Sequence, residues 1–298
     1  PIEQYERPSS GDVKLSYRPI IIGSGPAGLF ATYLLSEAGY HPLLFERGEC
    51  VEIRKEKIEK FWKTGQLDEQ TNVQFGEGGA GTFSDGKLNT MVKDKACRGK
   101  KVFETFVSCG APVSILYEAH PHIGTDLLQN VIKNMREKIK ELGGEIRYSA
   151  CLTNVHIKNN HIKEIVINDN ETYPCDCLIL AVGHSARDTF KMLYEKGLLL
   201  ESKPFAVGLR IEHPQKMIDE SQYGKDYPKV LPPASYKLTY QTKEKRGVYS
   251  FCMCPGGYVV NASSIKNHLV INGMSEHKRD SLNANAALLV TVNEKDYG

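Results

Sequence analysis

No sign of charge dominates this sequence. Its 298 residues carry 38 Lys and Arg against 36 Asp and Glu, a formal net charge of +2. A chain built to grip nucleic acid or another polyanion shows a basic excess, and none is present. No apolar run reaches the ~18 residues that a membrane span needs. The segment from Pro1 to Arg18 is polar and has no signal-peptide core. These absences argue against nucleic acid, membrane insertion and secretion, and a cytoplasmic location is expected. Cys-x-x-Cys pairs and zinc-ligand spacings are missing too, although cysteine itself is not scarce. The eight cysteines include the close pairs Cys175/Cys177 and Cys252/Cys254, expected to be reduced thiols in such a compartment. Pro1 stands where an initiator Met would, so a processed or partial chain is expected.

What is present is an ordinary globular composition, 41% hydrophobic with 26 Gly and 14 Pro, enough for one large domain or two smaller ones. Residues 19–23 read as a buried parallel strand, rich in β-branched side chains. The strand runs into Gly23-Ser24-Gly25-Pro26-Ala27-Gly28, and a helix is predicted from Pro26 to about Ala38, closed by Gly39. A second strand, Leu43-Leu44-Phe45, completes a βαβ unit ending at Glu46. A charged helix is predicted over 51–63, then a Gly/Ser/Asp-rich loop over 76–89. The spacing of Leu128, Val131, Ile132, Met135 and Ile139 predicts a helix over 125–142, stopped by Gly143-Gly144. Strands follow at 145–149, 152–157, 162–168 and 171–174, and a last apolar run, 177–182, ends at Gly183.

Gly-x-Gly-x-x-Gly alone is a weak signal, but here it follows a strand, opens a helix and has Glu46 eighteen positions beyond Gly28. Gly23 allows the tight turn, Gly25 lets backbone approach a pyrophosphate, and Gly28 lets helix and strand pack closely. The helix N-terminus offers free N–H groups and positive potential to phosphate. Glu46 is expected to accept hydrogen bonds from ribose hydroxyls and to repel a 2′-phosphate. The alternative is a glycine turn in a helical hairpin. A second match, Gly76-Glu77-Gly78-Gly79-Ala80-Gly81, lacks a following helix and is not read as an NADPH site.

The order of βαβ unit, long insertion, helix, meander and the run Leu180-Ala181-Val182-Gly183 resembles the FAD domain of the glutathione-reductase and hydroxybenzoate-hydroxylase superfamily. Longer motifs narrow the likeness: the stretch 72–88, Pro121-His122-Ile123-Gly124-Thr125-Asp126, Gly183-His184-Ser185-Ala186-Arg187-Asp188 and Phe251-Cys252-Met253-Cys254-Pro255-Gly256-Gly257. They resemble a bacterial family known as uncharacterised FAD-dependent dehydrogenases. The resemblance implies FAD as cofactor and oxidoreduction of a small-molecule substrate, with an unidentified electron donor or acceptor. It implies FAD contacts at Gly23, Ser24, Gly25, Pro26, Ala27, Gly28, Glu46 and Arg47. The second glycine loop adds Gly78, Gly79, Ala80, Gly81 and Ser84, and the later strands add Leu152, Gly183 and Arg187. That loop has five glycines between Gly76 and Gly86, and its N–H groups suit phosphate and the flavin edge; an ordinary surface loop is the alternative. The superfamily returns to a final FAD strand bearing an acidic residue, and no such strand occurs after Gly183. A fragment with an incomplete FAD site is therefore expected.

Candidate catalytic residues are His184, His122 and Arg210. His184 and Arg187 follow a parallel strand at its carboxyl end, where open α/β sheets place ligands; His184 is a candidate acid–base and Arg187 an anion contact. Beside His122, Thr125 or Asp126 is expected to cap the long helix. Arg210 lines a cavity or pairs with Glu212 on one strand face. Cys252 and Cys254 share a strand face, and the flat i,i+2 geometry favours buried structural thiols over a redox pair. The expected architecture is α/β: a Rossmann-like FAD-binding domain over 1–202 and a β-rich α+β domain over 203–298. The first has its core at 18–50 and 120–190 and an insertion at 51–119; the second is substrate-type and incomplete. A flavin hydroxylase, or a flavin- or nucleotide-binding regulatory protein without turnover, are the alternatives.

Overall fold

The computed structural model describes residues 4–90 and 92–297; Pro1, which prompted the reading of a processed chain, lies outside them. The first half is built on four short parallel strands. β1 (Ile20–Ile22) leads into α1 (Pro26–Glu37), β2 (Leu43–Phe45) and α2 (Val51–Thr64). After a long loop come α3 (Arg98–Ser108), α4 (Thr125–Glu141) and β3 (Glu145–Arg147). A meander of β4 (Leu152–Lys158), β5 (His161–Ile167) and β6 (Glu171–Pro174) precedes β7 (Leu178–Leu180) and α5 (Arg187–Glu195). The parallel sheet runs β3-β2-β1-β7, with Ile20 opposite both Leu43 and Leu178.

Side-chain alternation explains the layers. Ile20, Ile22, Leu43 and Phe45 pack with Leu152, Val155, Ile165 and Ile167, so the antiparallel meander covers one face of the parallel sheet. The other face meets α1 and α4, whose Leu29, Tyr33, Val131, Ile132, Met135 and Ile139 share a core with Phe106 and Ile115. Burial on both faces is why β1 and β2 are uninterrupted apolar runs.

The remainder is β-rich: β8 (Phe205–Pro214), α6 (Gln215–Tyr223), β9 (Thr239–Gln241), β10 (Gly247–Cys254), β11 (Gly257–Asn261), β12 (Ile271–Ser275) and β13 (Asn283–Val292). Its main sheet is antiparallel in the order β8-β13-β10-β9, and β11 pairs with β12. This part leans on the 51–119 insertion rather than on the parallel sheet. The Trp62 indole donates to the Asn261 carbonyl (2.9 Å), the Gln74 amide to the Ala262 carbonyl (2.6 Å), and Arg279 reaches Asp85.

Two local readings change. α3 was not expected; its left-handed Cys97 N-cap gives no capping signal. Neither Thr125 nor Asp126 caps α4. The Thr125 hydroxyl donates to the Thr82 carbonyl (2.7 Å), and the Asp126 carboxylate accepts from the His277 N–H (2.8 Å). Both side chains tie the helix start to distant loops.

Candidate functional site: a dinucleotide cradle

The turn after β1 requires glycine on steric grounds. Gly23 has φ +96°, and a Cβ there would lie 2.5 Å from the Ala181 carbonyl oxygen on β7's extension. A Cβ on Gly28 would lie 1.8 Å from the Gly23 carbonyl oxygen, so only glycine lets α1 sit this close to the turn. α1 begins at Pro26 with no side-chain cap and no acidic residue in its first turn. Its N–H groups and positive end are thus uncontested, the arrangement that receives phosphate.

The second glycine loop is folded against the first. The Gly78 N–H donates to the Ser24 carbonyl (2.9 Å), and a Cβ on Gly79 would come 2.9 Å from the Gly25 Cα. What holds this loop is Arg54, a fully buried guanidinium on α2. It donates to five backbone carbonyls: Asn72 (2.9 Å), Val73 (2.9 Å), Gly76 (3.3 Å), Glu77 (2.6 Å) and Gly79 (3.0 Å). Burial pulls its pKa down to about 10, opposed by the Glu46 and Glu77 carboxylates, and it remains charged at neutral pH. Because the peptide is planar and trans, drawing the Gly79 carbonyl inward turns the Ala80 N–H outward, on the side of the cavity that Ala80 lines. Sequence reading missed Arg54, yet a signal existed. Val51, Arg54, Ile58 and Phe61 form the buried stripe of α2, and a charge inside an apolar stripe marks a paired group.

Glu46 and Glu77 complete the scaffold. The buried Glu46 carboxylate accepts from Ser24 N–H (2.7 Å), Ser24 hydroxyl (2.8 Å), Gly48 N–H (2.9 Å) and Gly76 N–H (3.0 Å). These four donors fill a carboxylate's acceptor positions. A ribose hydroxyl expected at this residue would have to replace the Ser24 hydroxyl, the one donor free to rotate. Glu77 accepts from the Val51 N–H (2.8 Å) at the start of α2, from Arg136 (2.8 Å) and from the Tyr148 hydroxyl. Burial pushes its carboxyl above the ordinary range against these partners.

Between the glycine loops and the C-terminal ends of β1, β2 and β7 lies a cavity of about 390 Å³. That is where an open parallel sheet binds nucleotides. Of the candidate residues, Gly23, Gly25, Pro26, Ala27, Glu46, Arg47, Gly79, Ala80, Leu152, Gly183 and His184 line it. Ser24 and Gly28 lie behind the turn, and Gly78, Gly81, Ser84 and Arg187 are outside the lining. Arg47 stacks on Phe75, 4.5 Å from the ring centre, and donates to Asp188 (2.7 Å). His184 is exposed at the rim, its Nε2 3.2 Å from the Ser185 hydroxyl, which donates to Gln74.

The other two catalytic candidates stand elsewhere. His122 Nε2 meets the His277 carbonyl (2.9 Å), and the two imidazoles stack. Burial, with the Arg279 guanidinium nearby, holds His122 below its usual range. Arg210 does not pair with Glu212: it donates to Asn285 Oδ1 (2.6 Å) and the Cys252 carbonyl (3.3 Å), while Glu212 accepts from Asn283 (3.1 Å). Asp85, Lys87 and Arg279 lie between these groups. Against the cost of burial, Lys87 and Arg279 hold the Asp85 carboxyl below its ordinary range. Among the described residues, no group of three or more His, Cys, Asp or Glu is placed to hold a metal ion. No helix among them is long and apolar enough to cross a membrane.

The strand–turn–helix geometry defines a Rossmann-type nucleotide-binding element, and residues 21–54 match the family model described as an NAD(P)-binding Rossmann-like domain. Residues 204–298 match the model of the FAD-dependent protein, C-terminal domain-like. FAD is the cofactor that these matches support. An uncharacterized protein of Clostridium beijerinckii is 50% identical over 299 residues, covering 99% of this chain and 55% of its own length. The chain thus spans about half the length of the curated relative it matches. Among solved structures, the flavin-dependent brominase Bmp2 superposes with TM-score 0.43 at 14% identity, over 94% of this chain and 57% of its own. THI4 of Thermovibrio ammonificans superposes with TM-score 0.42 at 17% identity, over 61% and 63%.

Proposed function

We propose that this chain carries the FAD site of an oxidoreductase of dehydrogenase type acting on a small-molecule substrate. The observation behind the reading is the cradle itself. Two glycine loops meet at the carboxyl ends of parallel strands, one opening a helix with uncontested N–H groups, the other held by a buried arginine. When bound, FAD supplies hydride or electron transfer. The chain's own residues bind and orient it. The α1 N-terminus at Gly25 and Pro26 and the Ala80 N–H face the pyrophosphate, and Glu46 holds the turn that receives the adenosine ribose. Arg47 on Phe75, Leu152 and Gly183 wall the nucleotide end, and Gly78, Gly81, Ser84 and Arg187 stand outside that wall. Residues 1–202 form the FAD-binding domain and 203–298 the substrate-facing wall. His184 is the rim group best placed to move a proton; His122 and Arg210 serve the opposite, second-domain side.

The test is anaerobic reduction of the FAD-loaded intact protein by a panel of donors, including NADH, NADPH, amines and hydroxy acids. Bleaching of the flavin band by one class identifies a dehydrogenase. Rapid oxygen consumption with NAD(P)H in the presence of an aromatic substrate points to a hydroxylase. A flavin reduced by no donor supports a regulatory flavoprotein and overturns the enzyme reading.

A further inference from the structure

The end of β10 breaks from the flat strand that its sequence suggests. Phe251 pairs with Ala287 and Cys254 with Asn285, so β10 spends one residue more than β13 over this interval. Cys252 takes up the excess with φ +46°, a left-handed conformation unusual for a non-glycine residue. The bulge brings the two cysteines into contact: the Cys254 thiol donates to the Cys252 carbonyl at 3.4 Å. Cys254 is fully buried and Cys252 is half-buried.

Their surroundings are not those of structural thiols in an apolar core. Lys87 Nζ lies 3.8 Å from Cys254 Sγ, donates to the intervening Met253 carbonyl and pairs with Asp85 at 2.9 Å. From the other side Arg210 donates to the Cys252 carbonyl, and its Nε is buried with no partner among the described residues. The neighbouring Asn285, fully buried, also has an unpartnered Nδ2. β12 approaches closely only because residue 273 is glycine; a Cβ there would lie 2.7 Å from Cys254 Sγ and 2.4 Å from the Arg210 guanidinium. Two cations and one sealed side thus frame the pair, Cys254 buried and Cys252 the more accessible residue. The adjoining Cys254 thiol, with Lys87 and Arg210, holds the Cys252 thiol below its ordinary range against burial and Asp85. Cys254, the donor, is held up.

We propose that Cys252 and Cys254 form a redox-active dithiol, Cys252 attacking and Cys254 resolving, that exchanges two electrons with a low-molecular-weight disulfide. The Cys252 thiolate attacks one sulfur of the disulfide; a mixed disulfide forms and one thiolate leaves. The Cys254 thiol then loses its proton and attacks Cys252 Sγ, forming the Cys252–Cys254 bond and releasing the second thiol. Two protein thiols are oxidised and one external disulfide is reduced to two thiols, so atoms and electrons balance. The order of burial fits these roles, since Cys252 is the more accessible of the two residues.

The test reduces the intact protein with dithiothreitol, removes it, and equilibrates the protein in glutathione buffers of graded oxidation. Acid quenching, alkylation with N-ethylmaleimide and mass spectrometry of the peptide bearing both cysteines read the outcome. The expected wild-type product is that peptide short of two hydrogens, unalkylated at both positions, with little glutathione adduct. Cys254→Ser is expected to accumulate the glutathione adduct on Cys252, and Cys252→Ser to react about tenfold more slowly at the sealed Cys254. Two wild-type results would overturn the proposal without recourse to any variant. One is both thiols remaining alkylatable across the whole buffer series. The other is a Cys252 adduct as abundant as in Cys254→Ser.

Discussion

Replacing Arg54 by Met keeps most of the side chain's length and apolar stem while removing every donor. Of the five carbonyls that Arg54 holds, Gly76 and Gly79 keep a backbone donor, from the Gly79 and Thr82 N–H groups. Asn72, Val73 and Glu77 have no second donor among the described residues, and all three would be stranded. An unsatisfied buried acceptor costs ~1–3 kcal/mol, so three cost ~3–9 kcal/mol. Part returns because a guanidinium is no longer desolvated, a gain of several kcal/mol in its own right. Loss of the packing over Phe83, whose ring centre is 4.7 Å from the guanidinium carbon, works the other way. A net destabilisation of ~3–5 kcal/mol is expected, the size found when one partner of a buried charged network is removed. Arg54→Lys should recover only part of it, because an ammonium has three donors and lacks the planar fork. Urea unfolding followed by far-UV circular dichroism measures the stability. FAD titration of the folded variant then asks whether the second glycine loop still presents its N–H groups. A midpoint within ~0.5 kcal/mol of wild type, together with unchanged FAD affinity, would show that the loop holds its shape without Arg54.

Glu46→Gln places an amide donor against backbone N–H groups of Gly48 and Gly76 or of Ser24, so at least one charge-assisted bond is lost and a donor–donor contact appears. FAD affinity should fall by about tenfold or more, measured by fluorescence titration, and an unchanged value removes Glu46 from the site. Asp85→Asn leaves Lys87 and Arg279 facing each other without the shared carboxylate, and should cost ~3–5 kcal/mol in denaturant unfolding. Glu52 is held at about 2, from an ordinary 4.5, chiefly by its hydrogen bonds from Arg136. A depressed carboxyl pKa stabilises above the unfolded value and loses that contribution as pH falls through the folded one. Stability should therefore drop between about pH 4.5 and 2 by ~1 kcal/mol more in wild type than in Glu52→Gln, the figure discounted for an exposed carboxylate. Parallel acid titration curves for the two proteins would refute this.

The elements that could be read from the sequence are those whose cause is local. Ile20–Ile22 is β-branched and apolar, Gly23 and Gly28 are spaced for the turn, and the α4 stripe from Leu128 to Ile139 keeps helical period. Each carries its own signature within a few residues, and the cradle's place at the strand ends follows from them. The features that escaped depend on partners far along the chain. Thr125 and Asp126 have the chemistry of caps, but Thr82 and His277 claim them. Cys252 and Cys254 obey strand alternation until the bulge against β13 displaces them. The Arg210–Glu212 pairing failed for the same reason, because Asn285 on the neighbouring strand offers Arg210 a buried acceptor.

The glycine loop shows how far such a partner can alter a reading that was locally sound. Five glycines between Gly76 and Gly86 suggest a backbone open to a ligand on every side. In the fold, much of that capacity is spent inside the protein: Glu46 takes the Gly76 N–H, Glu49 the Glu77 N–H and Ser24 the Gly78 N–H. Arg54 takes the carbonyls. The consequence is directional. With the carbonyl of Gly79 fixed on a buried cation, the next peptide N–H is fixed on the opposite side, toward the cavity. A flexible loop would reorganise to meet an anion, at an entropic cost carried by every binding event. Here a buried guanidinium has already set the orientation. The glycines supply the conformations that this orientation needs, including positive φ at Gly76, Gly78 and Gly79. The direction in which the loop presents its backbone therefore resides as much in Arg54 on α2 as in the glycine motif itself.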